Sequence, residues 1–192
     1  GVEYIRSNRV FRIDENGKVS IVAGIQSVTN QKMDDLGAND GDDPLKAHFN
    51  GMHDLAISPD GSIYLGEAFS SRIRKIDGKS GKISTIVGNG DPGFSGDGGL
   101  ASDAQVAQVH SLYFNDDYSE LYFTDLPNRR IRKIDMETGI ISTVAGNGET
   151  GVPEDRSIAI ESPLLDPRAV LVGNDGMVYI LSRGGNALRI LG

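Results

Sequence analysis

The sequence predicts an all-β fold built from repeated four-stranded antiparallel sheets, and three observations carry that expectation. One phrase occurs twice: RIRKIDGKSGKISTIVGNG at residues 72–90 returns as RIRKIDMETGIISTVAGNG at 130–148, with Ile76 and Ile134 58 residues apart. A period of this size marks a stacked array, in which one unit cannot bury its apolar face without its neighbours. Short runs of alternating apolar and polar residues recur between turn signals, as half-buried strands require. The 25 glycines are scattered among those turns rather than gathered into a linker.

Taken in order, the chain opens on VEYI, RVFRID and KVSIVAG, which match the second, third and fourth strands of a unit, giving a partial sheet over 1–24. A complete unit over 52–90 follows, with strands at 54–58, 62–67, 72–77 and 82–87. Its PDG, DGKSG and GNG turns carry residues that tolerate tight or left-handed backbone. SLYFND, ELYFTD, RIRKID and ISTVAG repeat the plan over 109–148, and AVLVG, MVYILS and ALRIL supply the first three strands of a last partial unit over 167–192. Sheets of four strands repeated radially form β-propellers. Both chain ends carry second and third strands, so they overlap instead of completing each other, and the expectation is a part of a larger, six-bladed ring whose remaining strands lie elsewhere.

Composition narrows the function. A chain of 192 residues with 38% hydrophobic content carries enough apolar matter for one sizeable core. The net charge of −8 argues against nucleic acid and against an anionic membrane. The lack of cysteine excludes disulfides, thiolate metal sites and a cysteine nucleophile. No run approaches the length of a membrane-spanning helix, and no export signal is present in the chain. GxSxG, HExxH and phosphate-loop motifs are absent.

VGNG followed by GFSGDGGLASDAQV, then a short apolar strand, LYFTDLPNRRIRKID and ISTVAGNG, resembles bacterial NHL-repeat β-propellers. The likeness runs through all four units. It implies the propeller architecture and, at the family level, an exported protein: periplasmic, cell-surface or secreted. It does not imply one activity, because fold does not settle function.

The connections between units hold the conspicuous acids. Asp91, Asp97 and Asp103 punctuate 88–105. Their spacing does not fit an EF-hand, so the expectation is a left-handed turn at Gly96 to Gly99, with Asp97 bonding backbone amides, rather than a calcium site. The 25–44 segment, with five aspartates, departs from the family string and reads as a solvated or mobile insertion.

A quieter set of residues varies its chemistry at fixed repeat positions. His53, His110 and Arg168 occupy equivalent places ahead of the inner strands in HDLAI, HSLYF and RAVLV. Inner strands line a propeller's channel, so these three are expected at one mouth. Two imidazoles and a guanidinium suit a carboxylate or phosphate. The alternative is zinc held by His53 and His110. The resemblance extends to a peptide-amidating lyase on an NHL-type propeller with a histidine-held channel metal, but Arg168 is a poor neighbour for that ion. Glu67 and Asp125, at the ends of second strands, join the set as further ligand-binding candidates, with turn capping as the structural reading. Arg72, Arg74, Arg130 and Arg132 read as the polar side of the blades.

The reading is therefore a non-catalytic scaffold that binds a protein, peptide or glycan at its channel mouth and top-face loops, without cofactor. A metal-dependent lyase or lactonase-like hydrolase, with zinc or calcium in the channel, is the enzymatic alternative. A purely structural unit of a surface protein is the third.

Overall fold

In the computed structural model the described residues are 8–25, 40–183 and, for the backbone, 187–191. The expected strand VEYI and residue Ser7 lie outside them. Thirteen strands form four antiparallel sheets among the described residues. Strands β1 (Val10–Ile13) and β2 (Val19–Ala23) make the first. Strands β3 (Met52–Ile57), β4 (Ile63–Glu67), β5 (Arg72–Ile76) and β6 (Ile83–Val87) make the second, in sequential order. Strands β7 (Val109–Phe114), β8 (Glu120–Asp125), β9 (Arg130–Asp135) and β10 (Ile141–Ala145) repeat it. Strands β11 (Pro167–Val172), β12 (Val178–Ser182) and β13 (Ala187–Leu191) form the last. The only helical pieces among the described residues are 3-10 turns such as Ala101–Asp103.

The hairpins close on aspartates whose carboxylates accept from amides two or three residues on. Asp77 accepts from Ser80 N at 2.8 Å and Asp135 from Thr138 N at 2.8 Å. Asp60, Asp117 and Asp175 do the same between the first and second strands of their sheets. Much of the acidity of the sequence is turn chemistry.

The apolar core lies between blades rather than within one. Leu65, Ile76 and Ile83 meet Val10 and Ala23 of the preceding sheet. Tyr64, Ile73 and Val87 meet Leu112, Leu121, Ile134 and Ile141 of the next. Tyr122, Ile131 and Ala145 in turn meet Val170, Val178 and Ile180. Each sheet therefore needs a neighbour on both faces, as the period requires. Inner strands β3, β7 and β11 lie side by side.

The long connections are the joints of this stack. The Gly41 amide donates to Ile83 O and the Ile83 amide to Asp42 O, and Gly98, Gly99 and Ile141 repeat the pattern, so each connection adds a short edge to the outer strand of the blade that follows. Gly96 and Gly98 are left-handed, with φ of 91° and 83°, as the sequence predicts. The carboxylate of Asp97 does not cap amides, however. It pairs with Arg132 Nη2 at 2.7 Å and accepts from the Thr143 hydroxyl at 2.6 Å. Asp40 holds Arg74 Nη2 at 2.7 Å and Thr85 N at 2.9 Å in the same way. The described end of the 25–44 segment is thus a working joint, whereas the sequence reading made the whole segment an insertion. Its residues 26–39 lie outside the described residues.

Arg74 and Arg132 are fully buried, which corrects their reading as the polar side of a blade. Each guanidinium fills the gap between a connection and a sheet: carboxylates and carbonyls replace the water of Arg132, whereas Arg74 bonds Asp40 through Nη2 and keeps Nε and Nη1 buried without a hydrogen bond. Arg132 also donates to Gln105 O and Ser95 O, both at 2.9 Å. Arg72 and Arg130 are half-buried and donate to carbonyls of the glycine-rich exits: Arg72 to Asn89 O at 3.3 Å, Arg130 to Asn147 O at 2.7 Å.

Candidate functional site

His53, His110 and Arg168 come together because each is the extra residue of a β-bulge. The register of β3 against β4 shifts between Met52 and Asp54, that of β7 against β8 between Val109 and Leu112, and that of β11 against β12 between Pro167 and Ala169. A bulge leaves its residue out of the ladder and re-aims the side chain. Two residues before each bulge stands a left-handed position, occupied by Gly51 (φ 67°), Gln108 (φ 46°) and Asp166 (φ 48°). The repeat therefore fixes a backbone device at the head of every inner strand and leaves one side chain free to vary.

The three side chains form a line across the blades. The imidazoles of His53 and His110 are stacked, with ring centres 4.0 Å apart and planes 28° from parallel. Arg168 Nη1 donates to His110 Nδ1 at 3.3 Å, which puts the His110 proton on Nε2 because arginine only donates. Phe69 also meets His53, with the two rings perpendicular and their centres 6.2 Å apart. His53 is exposed and His110 and Arg168 are half-buried. Burial, with help from His53 and Arg168, pushes the His110 imidazole down to about 4, so it is neutral at physiological pH.

Asp166 organises the cationic end. Its carboxylate pairs with Arg168 Nε and with Arg183 Nε, each at 2.9 Å. One carboxylate between two guanidiniums leaves this corner with a single net positive charge. The backbone of the second bulge is held by Thr124, whose hydroxyl accepts from His110 N at 3.2 Å and Ser111 N at 3.1 Å.

Glu67 and Asp125 are not in this line. Both are fully buried at the ends of β4 and β8, where they face the connection that leads into the inner strand. Glu67 accepts from Asn50 N at 3.0 Å and from the Ser70 hydroxyl at 2.7 Å. Asp125 accepts from Ala107 N at 2.8 Å and Asn128 Nδ2 at 2.7 Å. The sequence reading grouped them with the mouth. The structure puts them behind it, fixing the backbone three residues before His53 and His110. Arg74 and Arg132 approach them at 3.8 and 3.5 Å. Burial nevertheless raises both carboxyls, Asp125 to about 6, against the pull of their hydrogen bonds and of the arginines.

The geometry also bears on cation chemistry. Stacked rings direct their in-plane lone pairs side by side rather than at one point, and His110 Nδ1 is already taken by Arg168. Among the described residues no group of three or more His, Asp or Glu side chains gathers at metal-binding distance. Sequence reasoning found the three bulge residues through their spacing alone. It missed Phe69 and Asp166, whose roles depend on where the bulges aim.

Comparison with known proteins agrees with this architecture. No family model matches the chain. It is 24% identical to NHL repeat-containing protein 2 of Homo sapiens over 77% of its own length and 22% of that protein's. It is 31% identical to teneurin-4 of Homo sapiens over 71% of its length and 5% of that protein's. The chain therefore spans a small part of each. Among solved structures, an auxiliary nutrient binding protein from Bacteroides thetaiotaomicron superimposes with a TM-score of 0.66, at 18% identity, over 97% of this chain and 43% of that one. The relatives and the solved neighbours, with the antiparallel four-stranded blades, support an NHL-like β-propeller family for this chain.

Proposed function

We propose that this chain is a non-catalytic binding scaffold, part of an exported bacterial protein, that recognises its ligand at the head of the inner strands. The observation that carries the reading is the convergence of three bulge residues, His53, His110 and Arg168, from three successive blades. Rigid blades hold the line, and the bulges present chemistry that the scaffold does not need. The name of the Bacteroides neighbour, a nutrient binding protein, favours a soluble ligand captured outside the cytoplasm. The test is a ligand screen by thermal shift on the wild-type chain and on His53→Ala/Arg168→Ala. The reading expects a hit whose shift disappears in the double variant while the unliganded melting temperature stays nearly unchanged. A large loss of unliganded stability makes the line structural and overturns it.

The sheet faces at either end of the stack support further blades of the same repeat as intramolecular partners. Phe11 pairs with Ile21 and Ile13 with Val19 across β1 and β2, and all four are exposed. The repeat equivalents of Ile13 and Val19 in the next blade, Ile76 and Ile83, are buried against the preceding sheet. Leu171 and Leu181 are exposed on the last sheet. A blade carrying a Val10- and Ala23-like pair fits the first face. Hydrogen exchange on a longer polypeptide tests this: the amides of β1 and β2 become more protected when a preceding blade is present, and unchanged exchange contradicts it.

A further inference from the structure

Resting on the binding reading above, we infer that the line Phe69, His53, His110 and Arg168 is a subsite for a ring that bears a single carboxylate. Three observations define that ligand. The first is the run of π groups: Phe69 stands perpendicular to His53, His53 stacks on His110, and the Arg168 guanidinium meets the His110 ring edge at Nδ1. Ring edges grouped in this way favour edge-to-face contact with the flat face of a ring over a flexible chain. The second is that the row is chemically polarised. Its Phe69 end is apolar and half exposed, whereas its Arg168 end holds a guanidinium and, on His110, an Nε2–H donor. A ligand with a ring at one end and an oxyanion at the other matches both.

The third observation sets the charge of the oxyanion. Arg168 and Arg183 share Asp166, and His110 stays neutral above about pH 4, so the corner carries one net positive charge. One positive charge and two donor groups suit a monoanion. A phosphate dianion needs more donors and more charge, and the net charge of −8 on the whole chain opposes a polyanion further. Arg168 is also placed in advance, because its ion pair with Asp166 and the contact of its Nη1 with His110 Nδ1 hold the guanidinium at the end of the row. That placement lowers the entropy lost when a carboxylate docks.

The chemistry is shared by sugar acids and by aromatic acids, and the experiment separates them. The probes are galacturonate and benzoate, with galactose and benzamide as their uncharged counterparts. Binding is followed on the full chain by NMR, through the imidazole resonances of His53 and His110 and the Nε–H of Arg168. The inference expects saturable shifts at these groups with at least one acid, and binding at least about tenfold weaker for its uncharged counterpart, the scale of a charge-assisted hydrogen bond. Arg168→Gln is expected to remove the preference for the acid, Arg168→Lys to keep part of it, and His53→Ala to weaken binding several-fold. Galacturonate alone binding identifies a sugar acid, and benzoate alone an aromatic acid.

Equal binding of acid and neutral counterpart, or an unchanged affinity in a folded Arg168→Gln variant, overturns the inference. The scaffold reading survives such a failure if a neutral library compound moves the same resonances. It falls as well if no compound of either kind does so while circular dichroism shows the native fold.

Discussion

The Leu112 amide donates to the Asp54 carboxylate at 2.8 Å across the seam between two blades, and one repeat later the Val170 amide donates to the Ser111 hydroxyl at 3.4 Å. Asp54, Ser111 and Ala169 each follow a bulge residue, so the bulge that frees His53 also aims the next side chain at the neighbouring inner strand. The seam bonds and the candidate site are two products of one backbone irregularity. Removing the first acceptor leaves a part-buried amide unpaired, so Asp54→Ala is expected to destabilise by about 1–3 kcal/mol. Ser111→Ala, whose bond is long, is expected to cost about 1 kcal/mol or less. Urea unfolding checks the pair, and equal losses show that the seam bonds contribute little beyond packing.

The buried arginines give a sharper contrast. Arg132 satisfies Asp97, Ser95 O and Gln105 O and lies 3.5 Å from the buried Asp125. Arg132→Met keeps most of the volume but strands a buried carboxylate, and is expected to cost about 3–5 kcal/mol. Asp97→Asn leaves Arg132 its carbonyls and Asp125, so the expected loss is about 1 kcal/mol. Chemical denaturation of both variants decides: a loss for Asp97→Asn as large as for Arg132→Met means the exposed joint, not the buried charge, holds the connection.

The repeat made most of this fold legible. RIRKID and its outer-strand partner set the period, the alternation set the strands, and equal spacing brought His53, His110 and Arg168 into one register. What spacing does not reveal is phase. A bulge adds a residue without any residue type announcing it, and the left-handed position before it is held by Gly51, Gln108 and Asp166, of which glycine alone signals its conformation. For Glu67 and Asp125 the hydrogen bonds match the turn-capping side of their reading, which spacing cannot separate from a place at the mouth. A strand-end acid facing a mouth and one facing the connection behind it have the same sequence. Arg74 and Arg132 looked solvent-facing because alternation sorts residues into two faces, and in this stack both faces are buried.

The perturbed groups near the site oppose each other with pH, His110 on one side and the buried carboxyls of Asp125 and Glu67 on the other. His110 is lowered to about 4 from an ordinary 6.5, so its contribution to stability is complete above pH 6.5 and is lost as pH falls toward 4. The groups that face it are His53, Arg168, Asp166 and Arg183. Asp125 is raised to about 6 from 3.8, so its contribution is complete below 3.8 and is lost as pH rises through 6. The wild-type profile between pH 4 and 6.5 is expected to be shallow. Asp125→Asn removes one of the groups that oppose His110 and should lose stability more steeply on acidification. His110→Asn should instead gain relative stability over the same window. Below the ordinary aspartate range, Asp60, Asp77, Asp117 and Asp135, all held low chiefly by turn hydrogen bonds, add a common loss. Urea midpoints at pH 7, 5 and 3.5 test each sign, and parallel profiles for the two variants contradict the assignment.

Gly51 couples the backbone device to the site surface. It is left-handed, with φ of 67°, and a Cβ there would clash with the Phe69 ring. Gly51→Ala therefore combines two effects: a left-handed penalty of about 1–2 kcal/mol and displacement of Phe69 from the edge of His53. Gln108 and Asp166 hold the same conformation with side chains, so the backbone penalty is one this repeat tolerates. The displacement of Phe69 is particular to this blade. Gly51→Ala is expected to shift the His53 ring resonances and weaken any ligand at the line, although it touches neither histidine. Phe69→Ala serves as the comparison, because it relieves the clash and also removes the apolar end. If Gly51→Ala in the Phe69→Ala background costs no stability beyond the left-handed penalty, the clash is the coupling. If Gly51→Ala leaves the His53 resonances in place, Phe69 does not shape the site.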